Sequence, residues 1–258
     1  MSRHMGSQSF VIDAMPRTGS TSLANMLSCH PQIKCLIEPF HPMRYGGQYH
    51  RQVSDTTSLR KMLDLLWLRW TGIKHVWQVP GNWPFDVESD INAELVKYAP
   101  YVISIERTNL LQRHVSSVIS RRLKFWIGDR SEFLRRFNHA TFPEFDIEAS
   151  RQAIDMEFAA LQARRRLLAT HSHAIIVTYE GLFGPRVSEP EKIAQINEIL
   201  GFLGFDPLPT ASINSYEWAL ATNPDNAKWN TAHVYSQLPG IHRLEDALGS
   251  DETGWLFR

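Results

Sequence analysis

Short runs of apolar and β-branched residues recur along the chain at Phe10–Ala14, 33–37, 73–79, Tyr101–Glu106 and 174–179. Each is separated from the next by stretches whose apolar positions fall at helical spacing. The stripes are Leu23, Met26 and Leu27, then a Leu- and Trp-dense segment over 59–70, then Leu111, Val115, Val118, Ile119 and Leu123. A long helix is predicted over 148–171 with Ile154, Phe158, Leu161 and Leu168 inward. A further helix carrying Ile193, Ile196, Leu200 and Leu203 is stopped by Gly204 and Pro207-Leu208-Pro209. Alternating strands and helices predict an α/β fold of three layers, a central parallel β-sheet flanked by helices. The stretch after Asn223 has weak periodicity and is expected to pack irregularly over the domain.

The first strand-to-helix junction carries the clearest chemistry. Met15-Pro16-Arg17-Thr18-Gly19-Ser20-Thr21-Ser22 follows an apolar strand and opens an apolar-striped helix. At such a junction backbone N–H groups and the positive helix end converge on one anion. A nucleotide triphosphatase loop would carry Gly, four residues, then Gly-Lys-Ser/Thr, but here Ala14 and Ser20 stand at the first Gly and the Lys positions. The nearest cation is Arg17, whose planar guanidinium suits a single phosphate better than a β/γ pair. The competing reading is an ordinary turn with a Ser or Thr N-cap.

Composition narrows the class. The chain has 258 residues, 43% of them hydrophobic, enough for one α/β domain over 9–258, with the polar, patternless residues 1–8 read as disordered or vector-derived. Lys plus Arg and Asp plus Glu both number 27, so no global field favours nucleic acid or an anionic membrane. No apolar stretch reaches membrane-spanning length and no signal segment is evident, which predicts a soluble cytoplasmic protein. Cys29 and Cys35 are too few for a disulfide framework and read as buried thiols. Arg164-Arg165-Arg166 reads as a solvated helix face. His171 and His173 read as surface groups at a helix end.

Over roughly residues 9–205 the chain resembles the sulfotransferases that use 3′-phosphoadenosine 5′-phosphosulfate, especially their bacterial and carbohydrate-type branch. Pro16-Arg17-Thr18-Gly19-Ser20-Thr21-Ser22 is similar to that family's 5′-phosphosulfate loop. The segment from Ile105 to Ser116 is similar to its strand-to-helix motif for the 3′-phosphate, with Arg107 and Ser116 as the binding pair. The serine stands nine residues after the arginine where many members have eight, which keeps Ser117 as a minor candidate. Val177-Thr178-Tyr179-Glu180-Gly181-Leu182 is similar to a late-strand run of mainly structural role.

The resemblance implies a P-loop nucleoside-phosphate-binding fold and donor contacts from Arg17, Thr18, Gly19, Ser20, Thr21, Ser22, Arg107, Ser116 and Lys228, with Trp229 beside the last. It implies no metal, since one phosphate leaves and Arg17 can stabilise its charge. Glu38, in Glu38-Pro39-Phe40-His41-Pro42, is carried over as the base, with His41 as runner-up. The plainer reading of Glu38 is a loop carboxylate paired with Arg44 or Arg17. His75 and Gln78 are candidates to face the cleft, with Trp77 turned the other way, although core or surface placement is the plainer expectation for each. The acceptor is expected to be a carbohydrate or other small molecule meeting 40–70 and 125–150. A P-loop kinase and a non-catalytic nucleotide-binding protein are the competing readings, and the pattern fixes no oligomeric state.

Overall fold

Phe10–Ala14 (β1) is buried at every position, as a strand covered on both faces requires. The computed structural model describes residues 8–77, 85, 90–126, 129–222 and 232–257. The other strands are Cys35–Ile37 (β2), Gly72–Val76 (β3), Tyr101–Glu106 (β4) and Ala174–Thr178 (β5). The α-helices are Ser20–Ser28 (α1), Thr56–Trp67 (α2), Ile91–Tyr98 (α3), Leu110–Leu123 (α4), Arg130–His139 (α5) and Ile147–Ala169 (α6). They continue as Tyr179–Phe183 (α7), Glu189–Phe202 (α8), Thr210–Ile213 (α9), Tyr216–Thr222 (α10), Ala232–Tyr235 (α11) and Ile241–Leu248 (α12).

The five strands form one all-parallel sheet in the order β2-β3-β1-β4-β5. Alternate side chains of β1 feed opposite faces. Phe10, Ile12 and Ala14 join Ile103, Leu23, Leu27, Ile196 and Leu200 in one core. Val11 joins Ile73, Val102, Leu63, Leu95 and Leu168 in the other. A third cluster gathers α4, α5, α6 and α12 through Leu111, Phe133, Leu161 and Leu244. Among the described residues no helix is long and apolar enough to cross a membrane.

β1 and β4 have the limits their sequence runs predict, whereas several expectations need correction. The arginine triplet is a solvated face only in part, since Arg165 and Arg166 are exposed but Arg164 is buried. Arg164 follows Ile154, Glu157 and Leu161 at helical spacing on the buried side of α6, where it forms an ion pair with the fully buried Asp13. Arg165 pairs with buried Glu106 through a 2.6 Å contact. The segment from 241 is regular rather than irregular, because Ile241, Leu244 and Leu248 give α12 a buried stripe. The third concerns Trp77, which lies two residues from His75 and so turns to the same side. Its Nε1–H donates to Asp13 Oδ2 at 3.2 Å, and His75 Nε2 meets Asn92 Oδ1 at 2.7 Å. Both are core residues, and Gln78 lies outside the described residues. Cys29 and Cys35 are free thiols and only half-buried, while His171 and His173 do follow the end of α6.

Candidate functional site

Successive connections run from β1 toward β2 on one side and cross to β4 on the other, so the strand order reverses beside β1. In open parallel sheets the crevice at the carboxyl ends of such strands is where ligands bind. The loop after β1 and the turn after β4 meet there.

The first loop is held in an unusual backbone conformation. Arg17 has φ 68° and Gly19 φ 80°. A Cβ on Gly19 would lie 2.9 Å from both Tyr179 Cδ2 and Phe183 Cε2, so the position needs glycine for its close approach as well as its φ. Gly19 is the N-cap of α1 and provides no side-chain cap. Thr18 Oγ1–H instead donates to Met15 O at 2.9 Å, bracing the loop from inside. The ordinary Ser/Thr N-cap is therefore not what forms. The first-turn N–H groups of α1, from Ser20, Thr21 and Ser22, lack intrahelical acceptors as at any helix start, and they keep the positive end of the dipole.

Arg17 spans the crevice. Its Nε–H donates to Ser116 Oγ at 2.9 Å and its Nη1 donates to Trp126 O at 3.1 Å. Burial, followed by the neighbouring Arg107, lowers its pKa to about 10, so it stays cationic at neutral pH. Ser116, rather than Ser117, is the serine that reaches the loop. A nine-residue offset from Arg107 therefore still delivers a hydroxyl to Arg17.

Arg107 is buried at the end of β4, stacked 4.4 Å over the Tyr179 ring. It donates to Gln112 Oε1 at 2.9 Å and to Arg17 O at 3.4 Å. Glu180, the residue after Tyr179, accepts from the N–H groups of Thr108 and Asn109 at 3.0 and 3.1 Å. Tyr179 thus packs on both the Gly19 loop and Arg107, and its neighbour fixes the turn that follows Arg107. Arg113, one turn into α4, donates to Pro16 O at 3.2 Å and forms an ion pair with buried Glu157.

A second charged cluster lies on the β2 and β3 side. Lys74, 3% exposed, donates from Nζ to Thr21 Oγ1 at 2.9 Å and to Glu38 Oε1. Glu38 has φ 51° and also accepts from Arg44 Nε at 3.1 Å. Burial pushes the Glu38 pKa up, but Lys74 and Arg44 together outweigh it and leave it below the usual value. Lys74 itself is lowered, chiefly by burial. His41 Nδ1 accepts from the Met43 N–H at 3.1 Å, and burial lowers its pKa as well.

The pairing of Glu38 with Arg44 agrees with its plainer sequence reading, whereas the pairing with Arg17 does not form. Lys74 is the partner that sequence reasoning missed. Its signal was a lysine inside the apolar run Gly72-Ile73-Lys74-His75-Val76, where a buried cation must find a counter-charge. Lys228 and Trp229 lie outside the described residues. Ser20 is buried, and Ser22 half-buried, at the start of α1.

The carboxyl edge thus carries buried or half-buried cations and hydroxyls in sequence, Arg107 and Ser116, then Arg17, then Thr21 and Lys74, and ends at the carboxylate of Glu38. Such an edge can hold two separate anionic groups and a carboxylate beside one of them. No protein-family model matches the chain, and no curated protein matches it.

Proposed function

We propose that this protein is a sulfotransferase of the P-loop nucleoside-phosphate-binding type, acting in the cytoplasm. It moves a sulfuryl group from 3′-phosphoadenosine 5′-phosphosulfate to a hydroxyl of a carbohydrate, a lipid-linked sugar or another small metabolite. The observation that carries this reading is Arg17, bonded to Ser116 beside Arg107 on one side and electrostatically coupled to Lys74 on the other. Arg44, Arg113, Arg164 and Arg165 each have a carboxylate partner. Arg17 and Arg107 have none among the described residues, so their charge is left for a ligand. One end suits a 3′-phosphate, and the α1 end with Arg17 suits a 5′-phosphosulfate.

The transfer forms a bond from the acceptor oxygen to sulfur as the bond from sulfur to the 5′-phosphate oxygen breaks. The electron pair departs on that phosphate, and the acceptor proton goes to Glu38. Arg17 and the start of α1 stabilise the departing charge by fixed hydrogen bonds and dipole, which need no reorganisation during the step. Arginine is a poor proton donor, so its role is electrostatic. Lys74 and Arg44 keep Glu38 ionised at neutral pH, giving a carboxylate that is ready to accept a proton but weakly basic. Lys74 also ties that carboxylate to Thr21 and hence to the phosphate loop. His41 is the alternative base.

Calorimetric titration with 3′,5′-adenosine bisphosphate in the absence of metal, against ATP with Mg²⁺, tests the reading. Tight bisphosphate binding and weak ATP binding support it, and sulfate transfer onto a panel of sugars then identifies the acceptor. Lys74 also gives the competing kinase reading a cation beside a loop that has no lysine of its own, so preference for Mg²⁺-ATP would replace the proposal. Bisphosphate binding without transfer to any acceptor would favour a non-catalytic nucleotide-binding protein.

A further inference from the structure

Tyr235, the last residue of α11, is 1% exposed. Its phenol faces Arg107 and Arg17, with Tyr179 close by. Among the described residues its hydroxyl has no hydrogen-bond partner of good geometry, and neither has the buried Nε of Arg107. The first two neighbours are donors only, since a guanidinium carries N–H groups and no acceptor. A guanidinium can give a hydrogen bond to the phenol oxygen, but the phenol cannot return its own proton. A buried hydroxyl left this way costs stability comparable to a lost hydrogen bond.

Three side chains from separate parts of the chain therefore converge with more donors than acceptors: Arg17 after β1, Arg107 after β4 and Tyr235 from α11, whose phenol oxygen is the one acceptor among them. Natural interiors rarely retain such an arrangement without a ligand to complete it. An oxyanion bearing several acceptor oxygens and two negative charges completes it. A neutral hydroxyl would accept from two donors at most and would leave the two cations uncompensated.

We infer that Tyr235 is a ligand-binding residue whose hydroxyl donates to the phosphate monoester held by Arg107, so that α11 is the third wall of the anion site. The identity of that monoester as the 3′-phosphate rests on the sulfotransferase reading; the existence of a dianion site does not. Tyr235 then discriminates a 3′-phosphorylated nucleotide from one with a free 3′-hydroxyl. Sequence reasoning had no access to this residue, because α11 is short and lies far along the chain from both arginines.

The test is Tyr235→Phe, which removes one oxygen and keeps the ring. Calorimetry with 3′,5′-adenosine bisphosphate should show affinity reduced about 10- to 100-fold, the worth of a hydrogen bond to a charged group. Affinity for adenosine 5′-phosphate should stay within about twofold of the parent. The ligand-free variant should melt no lower than the parent, because an uncompensated buried hydroxyl has gone. Unchanged bisphosphate affinity, equal loss for both nucleotides, or a lower melting temperature without ligand would each overturn the inference. If the parent binds neither nucleotide, the donor reading fails, and inorganic phosphate becomes the probe. A smaller phosphate-induced rise in melting temperature for Y235F than for the parent keeps the dianion site, and equal rises, or none, remove it.

Discussion

Arg17 and Ser116, 99 residues apart, are joined by an Nε–H to Oγ hydrogen bond of 2.9 Å. That bond makes the loop after β1 and the helix after β4 a single unit. The positive φ at Arg17 and the glycine-only approach at position 19 aim the guanidinium across the crevice. On the proposed reading, the residue that stabilises the departing phosphate rests against the residue that helps hold the 3′-phosphate.

Arg17→Ala should therefore lower turnover by about 10²-fold or more, the usual cost of deleting a preorganised donor to developing charge. Arg107→Ala should act differently, weakening 3′,5′-adenosine bisphosphate in calorimetry and leaving the rate at saturating donor less affected. Near-normal turnover in Arg17→Ala would remove its role in the transfer. Unchanged bisphosphate affinity in Arg107→Ala would take Arg107 out of the phosphate site.

Lys74 and Glu38 make a second pair whose removal has a signature in pH. In the parent, Lys74 and Arg44 hold the Glu38 pKa below the ordinary glutamate value. Glu38 is then ionised throughout the neutral range. Lys74→Met removes the larger opposing influence and leaves burial to raise the Glu38 pKa. The acid limb of the rate profile should move to higher pH, and rate at a fixed acidic pH should fall. Glu38→Gln should abolish transfer while sparing bisphosphate affinity. If His41→Ala abolishes transfer and Glu38→Gln does not, His41 is the base.

The sequence made the frame legible where burial imposes a simple period. β1 and β4 are apolar runs covered on both faces, and their limits follow from composition alone. β5 ends one residue early because Thr178 turns to cap α7, accepting from the Gly181 N–H at 3.1 Å. β2 shortens to Cys35–Ile37 because Ile33 belongs to the turn, its N–H donating to His30 O. α5 escaped notice because only Phe133 and Phe137 of its ten residues are buried. The phosphate loop and Arg107 stand out as local motifs. Lys74, Arg164 and Tyr235 do not, because each is explained by partners distant in the chain, and no periodicity encodes a pairing between separate elements. Arg164 shows the limit well: three consecutive arginines look solvated until helical spacing puts the first in line with Ile154 and Leu161.

Two buried histidines contribute to acid sensitivity. Burial lowers His75 and His114 from 6.5 to about 4. The folded state thus binds fewer protons than the unfolded chain between those values, so unfolding is favoured as pH falls through that window. Their contribution to stability is complete above the unfolded value and is lost progressively from about pH 6.5 down to about pH 4. Urea midpoints measured across this range should fall steadily toward acid. His75→Gln retains a hydrogen-bonding amide beside Asn92 and should flatten the fall. A parent whose midpoint is level from pH 7 to pH 4 would contradict the assignment.

Beneath the phosphate loop, Arg164 grips Asp13 through two nitrogens, one of them Nε at 2.7 Å, and lies 5.2 Å over the Trp77 ring. Asp13 is two residues before Met15, whose carbonyl anchors Thr18, so the pair fixes the end of β1 on which the loop stands. Arg164→Met leaves a carboxylate with no exposure and no cation, and should cost about 3–5 kcal/mol in urea unfolding. Asp13→Leu alone strands the guanidinium and should cost a similar amount. The double variant removes both charges and keeps most of the volume, so it should recover much of the loss, as buried pairs replaced by apolar residues commonly do. If the pair also positions the loop, the double variant will fold stably yet bind 3′,5′-adenosine bisphosphate more weakly than the parent. Full stability with full affinity would show that the loop holds its shape through Gly19, Thr18 and Tyr179 alone.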